Sequence, residues 1–426
     1  MENVYDVLQH RGFIQQVTDP EPLRELLASH RVTFYVGFDP TAESLHAGSL
    51  LPIMAMANLQ RHGHKPIVVI GGGTAMVGDP SGKTEMRKMM SRERIDSNAR
   101  EMRLQLARYL DLSEGNAIVV NNYDWLGNLN YIEFLRDIGV HFSVNKMLTF
   151  EAYKKRMETG LSFLEFNYQL LQAFDFLVLN RDYDCRLQMG GDDQWANILA
   201  GTDLIRRMER KDVYGLTFPL LVTASGAKMG KTESGALWLD AQKTAPYDFY
   251  QYWINVADDD LVKFLFYFTF LPTYEIEDVK KRQGAELNAA KTILAYEATR
   301  IAHGEDVAKK VFSSSMAAFG TRKIPDSILP SSTIPRGSVT ADEAGLPIAR
   351  KDYSFFEARP KIISVLTDLG LTSSKQEAKR LVQQGGVYLN DVRVSDTEMA
   401  LAENDVINNR IVLRVGKKKY FYLKFE

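Results

Sequence analysis

The first half of the chain carries short β-rich runs, Val32–Gly37 (VTFYVG), Pro66–Ile70 (PIVVI), Ala117–Val120 (AIVV) and Cys185–Met189 (CRLQM). Runs of this length predict strands, and where they are continuously apolar, as in PIVVI and AIVV, they predict burial on both faces. Between the first two, Leu45–His62 sets Leu50, Leu51, Met54, Ala57 and Leu59 near helical spacing, with Gly63 where a helix should stop. Strands alternating with helices predict an α/β fold around a parallel sheet. Ligands of such sheets bind beyond the carboxyl ends of the strands. From Pro246 to Gly320 the pattern turns helical (YDFYQYWINV, DDLVKFLFYFTF, then Glu286–His303). Pro325, Pro330, Pro335 and Pro347, with Ser331, Ser332 and Gly337, mark an irregular linker. The remainder reads helix–helix–strand–strand. The expected organisation is an α/β domain over 1–245, a helical domain over 246–320, a linker over 321–353 and a small α+β domain over 354–426.

Composition narrows the class. A chain of 426 residues, 45% hydrophobic and 25% charged, has the make-up of an ordinary globular protein of two or three domains. No apolar run reaches the roughly 18 residues of a membrane span, and the start, MENVYDVLQHRG, is polar. Cys185 is the single cysteine, so no intrachain disulfide can form, and a reducing cytoplasmic setting is expected. Seven scattered histidines offer no zinc spacing, and no dedicated protein metal site is expected. A net charge of −2 means that any nucleic-acid contact must be a local basic patch.

Two segments carry chemistry. In the first, the strand ending Tyr35-Val36-Gly37-Phe38-Asp39 turns through Pro40-Thr41 into Glu43-Ser44-Leu45-His46-Ala47-Gly48-Ser49. Ser44 can cap a helix here, and the open N–H groups of a helix start favour a phosphate. His46 adds a donor, and Gly48 would let a nucleotide approach the backbone. An incidental histidine beside a capped helix is the bland alternative. The second is Ser225-Gly226-Ala227-Lys228-Met229-Gly230-Lys231-Thr232, which reads as a cationic lid for polyphosphate or, more plainly, as a solvated loop. Neither this loop nor Gly78–Thr84 is a P-loop, because each has three residues, not four, between its first glycine and Gly-Lys-Thr.

Together the two segments resemble the HIGH and KMSKS signatures of class I aminoacyl-tRNA synthetases, standing here as HAGS and KMGKT. Five ordered blocks, TFYVGFDPTAESLHAGSL, GGGTAMVGDPSGKTEMR, EFNYQLLQAFDF, QMGGDDQWANILAG and KMGKTESGALWLD, are similar to the bacterial-type tyrosyl-tRNA synthetases. The resemblance implies a Rossmann-like parallel-sheet catalytic domain with a connective segment at about 123–184. It also implies activation of L-tyrosine by ATP and transfer to tRNA(Tyr). By the same resemblance Tyr35 and Asp175 meet the phenol, and Asp79, Tyr168 and Gln172 meet the ammonium. Tyr168, Gln172 and Asp175 stand at i, i+4 and i+7, one face of a helix. Gly37, Asp39, His46, Gly48, Gly191, Asp193, Gln194, Lys228 and Lys231 fall at the ATP site. Thr41, His46, Lys228, Lys231 and Thr232 are assigned to the departing pyrophosphate. Mg²⁺ is expected to arrive with ATP. Ser49 replaces the second histidine of the signature, and Val36 stands where some family members place a ribose-binding cysteine.

The C-terminal segment KIISVLTDLGLTSSKQEAKRLVQQGGVYLNDVRV looks like a small RNA-binding domain, with helices expected at Lys361–Leu369 and Ser374–Gln383. Lys375, Lys379 and Arg380 share one side of the second helix, and net charge from Lys351 onward is about +3. Charges alone would suit a solvated surface. The family resemblance further implies a homodimer. A tryptophan-specific enzyme, an inactive RNA-binding paralogue and another adenylate-forming enzyme are the rival classes. The Tyr35–Asp175 pair, the intact signature residues and the C-terminal domain, respectively, disfavour them.

Overall fold

The computed structural model describes residues 2–79, 90–224, 226, 229, 231–232, 235–319, 324–336, 348–416 and 419–426. The chain divides into two compact units, one of 1–245, 253–305 and 325–334, the other of 246–252, 306–324 and 335–426.

Among the described residues of the first unit, six strands form one sheet. They are β1 (Gln16–Val17), β2 (Thr33–Phe38), β3 (Lys65–Ile70), β4 (Ile118–Asn121), β5 (Cys185–Gly191) and β6 (Tyr214–Phe218), in the order β1-β6-β5-β2-β3-β4. All neighbours run parallel except β1, which pairs antiparallel with β6 at the edge. The four runs read from sequence are the four strands β2 to β5, with ends shifted by one or two residues. The other two were not legible. Two residues of β1 carry no period, and β6 (YGLTF) is too short to separate from a buried loop by pattern alone.

From β2 the chain steps outward through β3 to β4, then returns to β5 on the other flank of β2. That reversal makes the carboxyl ends of β2 and β5 the crevice in which a ligand of a doubly wound sheet sits. Helix Leu50–Arg61 is buried along most of its length, from Leu50 through Leu59, as the crossover between β2 and β3 requires. Helix Phe163–Tyr183 starts on a Ser162–Glu165 capping box and packs Ala173, Phe176, Leu177 and Leu179 into the core against Tyr35, Ile67 and Val69.

The expected cap at Ser44 does not form. Ser44 Oγ donates to the Leu45 carbonyl at 2.7 Å and to Gln105 Oε1 at 3.1 Å. Instead a 3₁₀ turn, Ala47–Ser49, opens the helix, with His46 as its cap.

In the second unit, β9 (Ile348–Lys351), β10 (Val387–Leu389), β11 (Val392–Arg393), β12 (Arg410–Val415) and β13 (Lys419–Phe425) form a sheet in the order β11-β10-β12-β13-β9; the hairpin β7 (Lys231–Thr232) and β8 (Gly235–Ala236) belongs to the first unit. Helices Ile362–Asp368 and Lys375–Gln383 supply Val365, Leu366, Ala378 and Val382 to a core with Ile411, Leu413 and Leu423. Ser374 caps the second helix by accepting from the Glu377 N–H at 3.2 Å. Asn390 and Asp391 both take positive φ (46° and 66°), the two-residue hairpin turn in which Asn and Asp are tolerated best after glycine.

Candidate functional site

The crevice collects polar side chains from every element that ends there. On helix Phe163–Tyr183 the i, i+4, i+7 face holds as read: Tyr168, Gln172 and Asp175 all lie on this one helix. Asp175 is buried, 4% exposed. Both its oxygens are engaged, Oδ1 by the Trp125 Nε1–H at 2.7 Å and Oδ2 by the Asn122 Nδ2–H at 2.9 Å. Burial raises its pKa to about 7, and Asp39 adds to the rise, while the two donors oppose it by favouring the charged form. Beside it Tyr35, on β2, packs its ring 5.4 Å from that of Phe176. Its hydroxyl is buried with no hydrogen-bond partner. Burial, and then the charge of Asp175, hold this phenol well above its ordinary range. A buried hydroxyl without a hydrogen-bond partner costs free energy. It is also what a site for an incoming hydroxyl needs, since that group both donates and accepts.

A second network adjoins. The Tyr168 hydroxyl donates to Asp39 Oδ2 at 3.0 Å, and Thr74 Oγ1 donates to Asp39 Oδ1 at 2.8 Å. Asn122 ties the two networks together by also donating to Thr74 Oγ1 at 3.0 Å. Burial and the charges of Asp39, Asp79 and Asp175 keep the Tyr168 phenol well above its ordinary range. Three carboxylates around one hydroxyl make a region of negative potential suited to an ammonium. Gln194 Nε2 donates to Asp79 Oδ2 at 2.6 Å, and Asn197 Nδ2 donates to Gln172 Oε1 at 3.0 Å and Gln194 Oε1 at 3.1 Å. Asp79, Gln194, Asn197 and Gln172 therefore form one chain of hydrogen bonds.

At the rim, Gly37 faces open space. Asp193 lies over Gly191, where an added Cβ would sit 2.5 Å from its Oδ1. Val36 is buried, and strand alternation turns it away from the face of Tyr35 and Gly37. Thr41 is exposed beyond the β2 end. The Gly48 N–H donates to His46 Nδ1 at 3.0 Å, so the neutral ring keeps a lone pair there and carries its proton on Nε2. Desolvation lowers the His46 pKa from its ordinary value, which favours that neutral form. The His46 ring lies against Gly48: a Cβ there would be 2.7 Å from Cε1. Lys228 lies outside the described residues, and Lys231 and Thr232 form the backbone of β7. Among the described residues no group of His, Cys, Asp or Glu side chains could hold a metal ion, and no helix is long and apolar enough to cross a membrane.

The geometry agrees with what the chain resembles. Residues 27–320 match the family model of class I tRNA synthetases for W and Y, and residues 349–423 match the tyrosine–tRNA ligase SYY-like C-terminal domain. A tyrosine–tRNA ligase of Syntrophus aciditrophicus is 54% identical over 427 residues, covering 100% of both chains. The chain belongs to the tyrosine–tRNA ligases of class I. A second relative of that name, from Desulfosudis oleivorans, is 54% identical and covers 98% of each chain. The solved structure of a C-terminally truncated Aspergillus nidulans mitochondrial tyrosyl-tRNA synthetase is 30% identical, with a TM-score of 0.67 over 75% of this chain and 95% of that one.

Asn122, Trp125, Thr74 and Asn197 were not singled out from sequence. The available signal was position: Asn122 and Trp125 directly follow β4, at the same carboxyl edge as the other site residues.

Proposed function

We infer that the chain activates L-tyrosine with ATP, forming tyrosyl-adenylate and pyrophosphate, and then transfers tyrosine to the 3′ end of tRNA(Tyr). The observation that carries tyrosine is the partnerless Tyr35 hydroxyl beside Asp175, whose carboxylate Asn122 and Trp125 hold in place. A substrate phenol set between them donates to Asp175 and accepts from Tyr35. The substrate ammonium is assigned to Asp79, Tyr168 and Gln172, within reach of the negative potential described above.

Reaction is an in-line attack of the tyrosine carboxylate on the α-phosphate. That carboxylate is already ionised, so no general base is called for, and positioning and charge stabilisation supply the catalysis. Gly37, Gly191, Asp193 and Gln194 are assigned to the adenosine side. Asp39 lines the same end of β2, although its bonds to Thr74 and Tyr168 make it a support for the tyrosine side as well. His46 Nε2–H, Thr41, Lys228, Lys231 and Thr232 are assigned to the pyrophosphate. Mg²⁺ enters as the counter-ion of ATP, part of the substrate. We place the enzyme in the cytoplasm and read it as a homodimer.

The test is aminoacylation: with ATP and tRNA(Tyr), labelled tyrosine is expected to become acid-precipitable. No product from a transcript that another tyrosine–tRNA ligase charges would overturn the assignment.

The raised Asp175 pKa adds a pH signature. The acceptor must be ionised to accept the phenol's hydrogen bond while keeping those from Asn122 and Trp125, and burial raises its pKa to about 7. Tyrosine affinity is therefore expected to be level above pH 7 and to fall by up to about tenfold per unit below it. Equilibrium dialysis of labelled tyrosine between pH 5.5 and 8 checks this; a flat profile would show that Asp175 does not accept as a carboxylate.

A further inference from the structure

The segment that follows the cationic loop is fastened to the segment that carries His46. The Ala47 N–H donates to the Leu237 carbonyl at 2.8 Å, and the Leu239 N–H donates to the Leu45 carbonyl at 2.9 Å. His46 and Trp238 thus face each other in an antiparallel bridge. The Asp240 N–H donates to Ser44 Oγ at 3.2 Å. Side chains repeat the connection. The His46 and Trp238 rings meet edge to face with centroids 6.2 Å apart. The Lys243 ammonium sits 5.8 Å from the Trp238 ring centroid and 2.5 Å from Glu43 Oε2, and Glu43 also pairs with Arg94.

A return path for a loop needs the backbone bridge but not the ring contact or the double ion pair. His46 is exposed, and an exposed imidazole left to itself would sample several rotamers. Here it has two fixed neighbours, the Gly48 N–H on Nδ1 and the Trp238 ring. We propose that Trp238 is a positioning residue for tyrosine activation: it holds the His46 ring on the Gly48 N–H so that Nε2–H is presented to the leaving pyrophosphate. Glu43 supports it by keeping Lys243 against the Trp238 ring. The proposal rests on the assignment of His46 to the pyrophosphate.

Single-turnover formation of tyrosyl-adenylate by the full chain tests it, at saturating ATP and tyrosine. Trp238→Ala is expected to slow the step by about 10-fold, with the KM for tyrosine within about twofold, and Trp238→Phe to recover most of the rate. Glu43→Gln is expected to slow it by about threefold. Combined with His46→Ala, each substitution is expected to lose its effect, to within about twofold, because its target is gone. Equal slowing in both backgrounds would overturn the proposal, as would unchanged activation in Trp238→Ala. Should Trp238→Ala fail to fold, Glu43→Gln in the two backgrounds decides by the same criterion. Full activity of His46→Ala alone would instead remove the pyrophosphate assignment and the proposal with it, a failure distinct from additivity.

Discussion

Replacing Asp175 with alanine is expected to lower kcat/KM for tyrosine activation by roughly 10² to 10⁴, while phenylalanine, a poor substrate at the outset, loses far less. The magnitude follows from two losses. A hydrogen bond to an ionised partner contributes about 1.5–3 kcal/mol, and leaving the partner hydroxyl unsatisfied in a buried site costs about 1–3 kcal/mol more. Together these make about 2.5–6 kcal/mol, at about 1.4 kcal/mol per factor of ten in rate. The isosteric asparagine is no safer. Trp125 donates to one carboxylate oxygen and Asn122 to the other, so an amide at 175 must turn its own N–H₂ towards one of these donors. Asp175→Asn is therefore expected to lose tyrosine activation as well, with a modest drop in melting temperature. Steady-state ATP–pyrophosphate exchange with tyrosine and with phenylalanine, beside a thermal melt, measures all of this. A variant that kept its tyrosine-to-phenylalanine ratio would show that Asp175 does not meet the phenol.

Removing residues 348–426 is expected to leave tyrosine-dependent exchange within about twofold and to lower tRNA charging by roughly 10² or more. This follows if the C-terminal unit contacts the tRNA as the family resemblance implies, chiefly through phosphates as protein–RNA contacts generally do. The crevice at β2 and β5 lies wholly within the first unit, so activation has no need of the deleted sheet. The deletion also strips partners from 246–252 and 306–324, which cluster with the deleted sheet, and a milder variant separates folding from binding. Lys375, Lys379 and Arg380 are all exposed on helix Lys375–Gln383. Changing all three to glutamate should leave the fold intact, weaken charging and flatten its salt dependence, by about 0.7–0.9 in the log–log slope for each phosphate no longer neutralised. Charging that is unaffected by both changes would take the C-terminal unit out of tRNA recognition.

The legible part of this protein was the part written in local pattern. Strands β2, β3 and β4 carried largely apolar β-rich runs, and β5 was read from the same length and composition although Arg186 and Gln188 interrupt it. That Tyr168, Gln172 and Asp175 share one face of helix Phe163–Tyr183 followed from their spacing, because they repeat with the turn of the helix; their assignment to tyrosine came from the family resemblance. What sequence did not reveal depends on contacts between distant segments. Asn122 and Trp125 act on Asp175 across 53 and 50 positions of chain, and neither residue sits in a pattern that names its partner. The ladder between His46 and Trp238 joins two short segments, Leu45–Ala47 and Leu237–Leu239, neither long enough to name the other as its partner. Ser44 shows the reverse error: a residue of capping type, placed where a cap was expected, bonds instead to Gln105, a group supplied by another helix. Beside Gly48 nothing in the sequence signalled the contact with the neighbouring imidazole, where an added Cβ would meet His46.

The central claim is that this crevice selects tyrosine through its phenol and activates it with ATP. ATP–pyrophosphate exchange measured with each standard amino acid in turn tests that claim most directly. Exchange above background is expected with tyrosine alone. Comparable exchange with phenylalanine or tryptophan, or none with tyrosine, would contradict it.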